Sequence, residues 1–232
     1  WFGKVHALRG VDFEVMPGEI VGLVGDNGAG KSTLIKVLSG YHTADRGEIF
    51  FEGRRVSVTS PNDARRLGIE TVYQEQALAP NMSISRNIFM GREPVRFGGF
   101  LDRKAMDEES MAALENIGLR LRSPEAPVAL LSGGERQGVA IARVLHFKAK
   151  LVILDEPTIA LSIKEAEQVL EFIKQLKREG ISVIHISHNL YHIFPDADRF
   201  VVLGRGEKIG DVRKQDTSIQ ELAELIVRGR AA

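Results

Sequence analysis

Residues 20–33, IVGLVGDNGAGKST, constrain this chain more than any other stretch. Ile20 to Val24 read as a buried strand, a glycine-studded loop follows, and Lys31-Ser32-Thr33 open a helix running to about Ser39. Gly25-x-x-x-x-Gly30-Lys31-Ser32 fits the P-loop pattern in the strand–loop–helix context that the pattern requires. The chemistry needs these residue types. Successive backbone N–H groups of the turn Gly25-Asp26-Asn27-Gly28-Ala29-Gly30 can cradle a polyphosphate with few side chains in the way. The helix N-terminus at Lys31, Ser32 and Thr33 adds partial positive charge at the same spot. Lys31 can reach the β- and γ-phosphates, and the Ser32 hydroxyl can complete the shell of a Mg²⁺ ion. A chance glycine-rich turn is the alternative, and the filled fixed positions with correct flanks argue against it. The stretch implies binding of a nucleoside triphosphate.

At 232 residues the chain can bury a real core and is expected to form one domain, with a smaller subdomain inside it. Lys+Arg and Asp+Glu both total 31, so net charge offers no pull toward nucleic acid or anionic lipid. The absence of cysteine excludes disulfides and thiol catalysis and fits a reducing compartment. No apolar run approaches the ~20 residues that span a bilayer, so a membrane role is expected to pass through a partner. The sequence begins at Trp1 without Met, and a first strand ahead of it is expected to be missing.

Upstream of the loop, Val11, Phe13 and Val15 alternate as in a strand, and Met16-Pro17-Gly18-Glu19 turns into Ile20. Phe2 could stack on an adenine face or simply pack. Downstream, residues 47–56 read as a strand pair turning at Glu52-Gly53. Ser60-Pro61 starts a short helix that Gly68 ends. Residues 69–73 form a strand with Gln74 just past it; Gln74 gains interest only if that strand lies beside the P-loop.

From about Ala77 to Leu131 the patterning turns helical: residues 85–91, then 102–118 with Asp102 as cap and Met106, Ala113, Leu114 and Ile117 on one face. This region reads as a helical subdomain inserted in an α/β core. Leu131-Ser132-Gly133-Gly134-Glu135 then opens a nearly continuous apolar helix. Ser132 is a good N-cap, while Gly133 and Gly134 cost helix stability yet expose backbone N–H groups to an anion. Leu151–Leu154 is an apolar strand ending in Asp155-Glu156, where ligands bind in open α/β sheets. Beside a P-loop, Asp155 suits Mg²⁺ and Glu156 suits a base for water. An amphipathic helix over 164–180, a buried strand over 181–186 and Ser187-His188-Asn189 follow. His188 is the histidine at a strand's carboxyl end; His146 and His192 read as surface or packing residues. A hairpin across Gly204-Arg205-Gly206 and a helix over 218–227 close the chain.

In that order, the P-loop, Gln74, LSGGE, LDEPT and ISHN resemble the ATP-binding subunits of ABC transporters over essentially the whole chain. IETVYQ, NIFMGRE and LSGGERQGVAIAR look most like the monosaccharide-importer branch, of ribose, xylose or fructose type. The resemblance implies a P-loop NTPase fold with an antiparallel part and the helical insertion. It also implies Mg²⁺-dependent ATP hydrolysis and a head-to-tail pair of copies enclosing two ATPs, a homodimer unless a second ABC chain pairs with this one. Residues 25–33 of one copy would hold the phosphates while Ser132, Gly133 and Gly134 of the other cap the γ-phosphate. Phe2 would stack on adenine, Gln74 would sense Mg²⁺ and water, Asp155 would support Mg²⁺, Glu156 would polarise water and His188 would contact the γ-phosphate. A membrane permease, and through it a substrate-binding protein, would be the partners at the cytoplasmic face of the membrane.

Two residues depart from the family pattern. Glu135 replaces a glutamine, and Ser162 replaces the aspartate that helps tie one ATP site to the other. Amino-acid or nucleoside import is the alternative transport reading. A non-transport ABC protein is less favoured, because long heptads and a second ABC domain with a charged linker are lacking. The permease is expected to dock in a groove lined by parts of residues 76–92, where Ile84, Ile88, Phe89 and Met90 either face the partner or pack a small core.

Overall fold

The computed structural model describes residues 1, 3–72, 78–159 and 162–231; Phe2, residues 73–77 with Gln74, residues 160–161 and Ala232 lie outside the described residues. Strand β1 (Ile20–Gly25) is buried along its whole length, as an unbroken apolar run requires of a strand covered on both faces. The loop after it leads into helix α1 (Lys31–Leu38). Strands β2 (Ile49–Phe51) and β3 (Arg54–Val56) pair antiparallel across Glu52-Gly53. Helix α2 (Pro61–Leu67) begins at Ser60, whose side chain accepts from the Asp63 N–H, and ends at Gly68 with φ 90°. Strand β4 (Ile69–Val72) follows.

Helices α3 (Ile84–Phe89), α4 (Arg103–Asn116) and α5 (Gly133–His146) build the helical part. Asp102 caps α4 by accepting from the Ala105 N–H, the role its position predicts. Strand β5 (Leu151–Asp155), helix α6 (Ile163–Arg178), strand β6 (Ser182–Ile186) and the short helix α7 (Leu190–Ile193) come next. The hairpin β7 (Arg199–Gly204) and β8 (Glu207–Arg213), with a register shift at Val202/Leu203, precedes helix α8 (Ile219–Ala231).

The main sheet runs β4-β5-β6-β1-β7-β8. Every neighbouring pair is parallel except β7–β8. Alternate residues of β1 serve the two faces: Ile20 and Val24 join α5, α6 and α8 on one side, Val21 and Leu23 join α1 and α2 on the other. A third core, with Ile84, Ile88, Met106, Leu114, Val128, Val139 and Ala142, holds the helical part together. Helix α5 belongs to two cores at once, through Ala140, Ile141 and Val144 on one side and Val139 and Ala142 on the other.

Two sequence expectations need correction. Residues 11–15 alternate in burial as foreseen, with Val11, Phe13 and Val15 packed on the core and Asp12 and Glu14 exposed. They form no strand, however; the side chains find a core while the backbone joins no ladder among the described residues. In α3, Ile84 and Ile88 are fully buried and Phe89 is 3 % exposed, so a two-turn helix does bury them and they cannot line a groove. Neighbours α4 and α5 close over it from both sides, which supplies the burial that the helix alone lacks.

Candidate active site

Glycine is required in the loop by sterics. Gly25 has φ 148°, and a Cβ there would lie 2.3 Å from the Leu203 carbonyl oxygen. Gly30 has φ 104°, and a Cβ there would lie 2.9 Å from the Ala7 carbonyl oxygen. The loop is braced from behind: the Gly206 N–H donates to the Ala29 carbonyl at 3.0 Å, and the Arg9 N–H donates to the Gly206 carbonyl at 2.7 Å. Within the turn Asp26-Asn27-Gly28-Ala29, the Ala29 N–H donates to the Asp26 carbonyl at 3.1 Å.

Gly30 is the N-cap of α1 and offers no side chain to its first-turn N–H groups, which belong to Lys31, Ser32 and Thr33. A helix end left without a side-chain cap is suited to an anion. Lys31 Nζ donates to the carbonyls of Gly25 at 2.7 Å and Asp26 at 2.8 Å, folded over the loop where phosphate would enter. Burial lowers the Lys31 pKa, against the attraction of Glu156, Asp26 and Asp155. A cationic group half out of water beside a bare helix N-terminus fits a polyphosphate.

The carboxylates stand at the same edge of the sheet. Asp155 ends β5, in register with Ile186 of β6. Glu156 turns away at φ 51°, its N–H donating to the Ile186 carbonyl at 3.0 Å. A left-handed glutamate costs on the order of 1 kcal/mol, and such positions cluster at functional sites. Burial raises the Asp155 pKa, Glu156 adds to the rise, and Lys31 and Lys36 oppose it. These couplings make Lys31, Asp155 and Glu156 one electrostatic centre.

The His188 N–H and its Nδ1 each lie 2.8 Å from Glu156 Oε1, and Ser187 Oγ donates to Oε2 at 3.4 Å. For Mg²⁺, the Ser32 hydroxyl and the Asp155 carboxylate are hard oxygen donors, too few to enclose the ion alone. Among the described residues no group of three or more His, Cys, Asp or Glu could hold a metal. That donor set suits an ion that takes the rest of its shell from phosphate and water.

The segment Ser132-Gly133-Gly134 is brought to none of these groups; among the described residues no hydrogen bond joins it to the P-loop. It forms a capping box instead. The Ser132 Oγ accepts from the Glu135 N–H at 3.3 Å, and a Glu135 oxygen accepts from the Ser132 N–H at 2.8 Å. These bonds hold the Glu135 carboxyl below its ordinary pKa. The Ser132 backbone N–H and hydroxyl both serve the Glu135 carboxyl within this cap.

Phe2 and Gln74, assigned to adenine and to Mg²⁺ and water, lie outside the described residues. The strand before Gln74, β4, is not beside β1; β5 and β6 stand between them. It neighbours β5, which ends in Asp155. His192, read from the sequence as a surface or packing residue, packs with its Nδ1 3.1 Å from the Oγ1 of buried Thr158, two residues past Glu156. His146 packs edge-on to Phe89 and pairs with Glu109 at 3.3 Å, as a packing residue should.

Residues 8–159 match the sequence pattern of the ABC transporter family. The chain is 50 % identical over 225 residues to the xylose/arabinose import ATP-binding protein of Sulfolobus acidocaldarius, covering 97 % of this chain and 89 % of that protein. It is 45 % identical over 228 residues to the fructose import ATP-binding protein of Rhizobium meliloti, covering 95 % and 87 %. A ribose import ATP-binding protein of Rubrobacter xylanophilus is 46 % identical over 97 % of this chain, which spans 45 % of that longer protein. The ADP conformation of an ABC-transporter ATP-binding cassette superposes with a TM-score of 0.79 at 26 % identity, covering 98 % of this chain and 91 % of the other. With sheet order, loop geometry, carboxylate placement and these likenesses in agreement, the chain belongs to the ABC transporter family.

Proposed function

We propose that this chain is the ATP-hydrolysing subunit of a sugar importer, working as one of two ABC ATPase domains, in a homodimer, on the cytoplasmic face of a membrane permease. The observation that carries the hydrolytic part is the convergence of Lys31, Asp155, Glu156 and His188 on one sheet edge beside a bare helix N-terminus. Phosphoryl transfer asks mainly for positioning and charge neutralisation, and these groups supply both. In this reading residues 25–33 hold the phosphates, and Lys31 exchanges its loop carbonyls for phosphate oxygens. Mg²⁺, held through Ser32 and Asp155, would neutralise developing negative charge. Glu156 accepts a proton from water, and His188 holds the carboxylate in place and keeps the proposed contact with the γ-phosphate. Phe2 and Gln74 keep the proposed roles of adenine stacking and of sensing metal and water.

Among the described residues no hydrogen bond joins Ser132, Gly133 and Gly134 to the P-loop of their own chain, which supports a second copy presenting its ATP to them. The sugar rests on the relatives' names, since xylose/arabinose, fructose and ribose import recur among them. Substrate choice would lie in the permease and in a substrate-binding protein. No helix among the described residues is long and apolar enough to cross a membrane, so force would cross a protein contact. A groove of about 300 Å³, bordered by Met82, Ser83, Arg86, Leu101, Arg103 and Met106, is the docking surface we assign to the permease. It replaces the buried face of α3 in that role.

The test is Mg²⁺-dependent ATP hydrolysis by the purified chain, with Lys31→Ala and Glu156→Gln as controls, followed by sugar-stimulated hydrolysis with the permease in vesicles. Hydrolysis by both variants at the parent rate would overturn the reading. Stimulation by an amino acid or nucleoside instead of a sugar would move the substrate class and keep the ATPase.

A further inference from the structure

Glu70 is a buried carboxylate that none of the roles above uses. It lies on β4 and is 5 % exposed. Its Oε1 accepts from Arg92 Nη2, and Arg92 follows the glycine turn beyond α3. The Arg92 guanidinium also sits 4.2 Å above the ring centroid of Phe147, the C-cap of α5. Arg143, in the last turn of α5, is buried; burial lowers its pKa, Glu70 draws it back up, and Arg65 and Arg92 repel it. A Cβ at Gly91 would stand 3.2 Å from Arg65 Nη1, so α2 reaches the same turn. A sheet strand, the exit of α3 and the last turn of α5 therefore meet around one carboxylate.

The apolar contacts between sheet and helical part are non-directional. A guanidinium–carboxylate pair is directional and fixes geometry as well as charge. Three arginines gathered at one turn also repel each other, and Glu70 is the charge that offsets them. Removing it would take the offsetting charge away from buried Arg143 and half-buried Arg92.

We propose that Glu70 is a positioning residue: through Arg92 and Arg143 it fixes the helical part on the sheet and so sets where α5 presents Ser132–Gly134 to a second copy. This rests on the functional reading given above for that segment. Glu70 touches neither nucleotide nor reacting atoms, so its loss leaves the chain's own phosphate loop intact and disturbs the pairing of two chains.

The experiment compares the parent with Glu70→Gln, which removes the charge at nearly constant volume, and Glu70→Asp, which keeps it on a shorter arm. Binding of a fluorescent ATP analogue is expected at parent affinity in both. In a Glu156→Gln background, ATP-dependent dimerisation of Glu70→Gln is expected to weaken on the order of tenfold, with partial recovery in Glu70→Asp. Amide exchange over residues 139–146 of α5 without nucleotide is expected to quicken by a similar factor. Parent-like dimerisation and exchange in Glu70→Gln would overturn the proposal. Should that variant fail to fold, Arg92→Lys keeps the charge and gives up the fork and the ring contact; parent-like values there overturn it equally. The exchange readout does not depend on turnover, so an inactive parent chain would sink the functional reading and leave this test standing.

Discussion

His188 holds Glu156 through two groups at once, its backbone N–H and its imidazole Nδ1 both 2.8 Å from the same oxygen, Oε1. Among the described residues the other oxygen, Oε2, has the longer 3.4 Å contact from Ser187 alone and is the one better placed to work on water. Glu156→Gln is expected to keep ATP affinity while hydrolysis falls ~10²–10⁴-fold. His188→Ala removes the side-chain contact and keeps the backbone one, so the expected loss is smaller. Steady-state ATPase rates with a parallel binding titration check both, and equal rates for parent and Glu156→Gln would assign the base elsewhere.

The capping box at α5 separates structure from function at Ser132. Ser132→Ala removes the acceptor for the Glu135 N–H and is expected to cost about 1 kcal/mol of stability as well as weakening the ATP-bound dimer. Glu135→Gln can bond back to the Ser132 N–H as glutamate does, and stability is expected to stay within about 0.5 kcal/mol of the parent. Thermal melts and light scattering measure the two effects; a dimer unaffected by Ser132→Ala would remove the hydroxyl from the interface.

His185 supplies a pH dependence. It is fully buried between β1 and β5, neither ring nitrogen has a hydrogen-bond partner among the described residues, and burial pushes its pKa from 6.5 to about 3. The folded chain holds the ring neutral while the unfolded chain protonates it below 6.5. Its contribution to stability is therefore complete above that pH and is lost as pH falls toward 3, at ~1.4 kcal/mol per unit. Between pH 6.5 and 5 the parent should lose about 2 kcal/mol more than His185→Leu. Urea denaturation at the two pH values checks this, and parallel losses in parent and variant would show the group is not held neutral.

Ser162 occupies the cap position ahead of α6, its carbonyl accepting from the Ala166 N–H at 2.9 Å. Aspartate serves as well as serine at a cap, so Ser162→Asp should leave stability within about 0.5 kcal/mol. Its effect is expected in the Hill slope for ATP more than in the maximal rate. An unchanged slope would take this departure out of any exchange between sites.

Local motifs carried the fold's punctuation. Ser60-Pro61, Asp102, Ser132 and Gly68 each mark a helix end where their chemistry demands one, and the two carboxylates fall at the strand end that an apolar run predicts. What escaped is set by tertiary contact. Whether Ile84 and Ile88 face solvent depends on α4 and α5 closing over them, which no window of their own sequence contains. The same holds for residues 11–15, whose burial alternates like a strand's while the ladder is missing. Glu70 reads as an ordinary polar residue in a strand until Arg92, far along the chain, folds back onto it.

The bracing of the phosphate loop bears on how fast nucleotide can be captured. Gly206 and Ala29 are tied together by the Gly206 N–H, and the β7–β8 turn is tied in turn to Arg9, so the cradle's shape is fixed when the chain folds. Ordering entropy, on the order of 1–2 kcal/mol for each residue held, is thereby settled before any ligand arrives. The Lys31 ammonium must change partners, leaving two carbonyl oxygens for phosphate. Such a swap of one side chain runs on a picosecond-to-nanosecond scale. Arrival of nucleotide at the loop should accordingly be limited by diffusion and orientation, and the slow steps of a catalytic cycle should reside in the meeting of two chains.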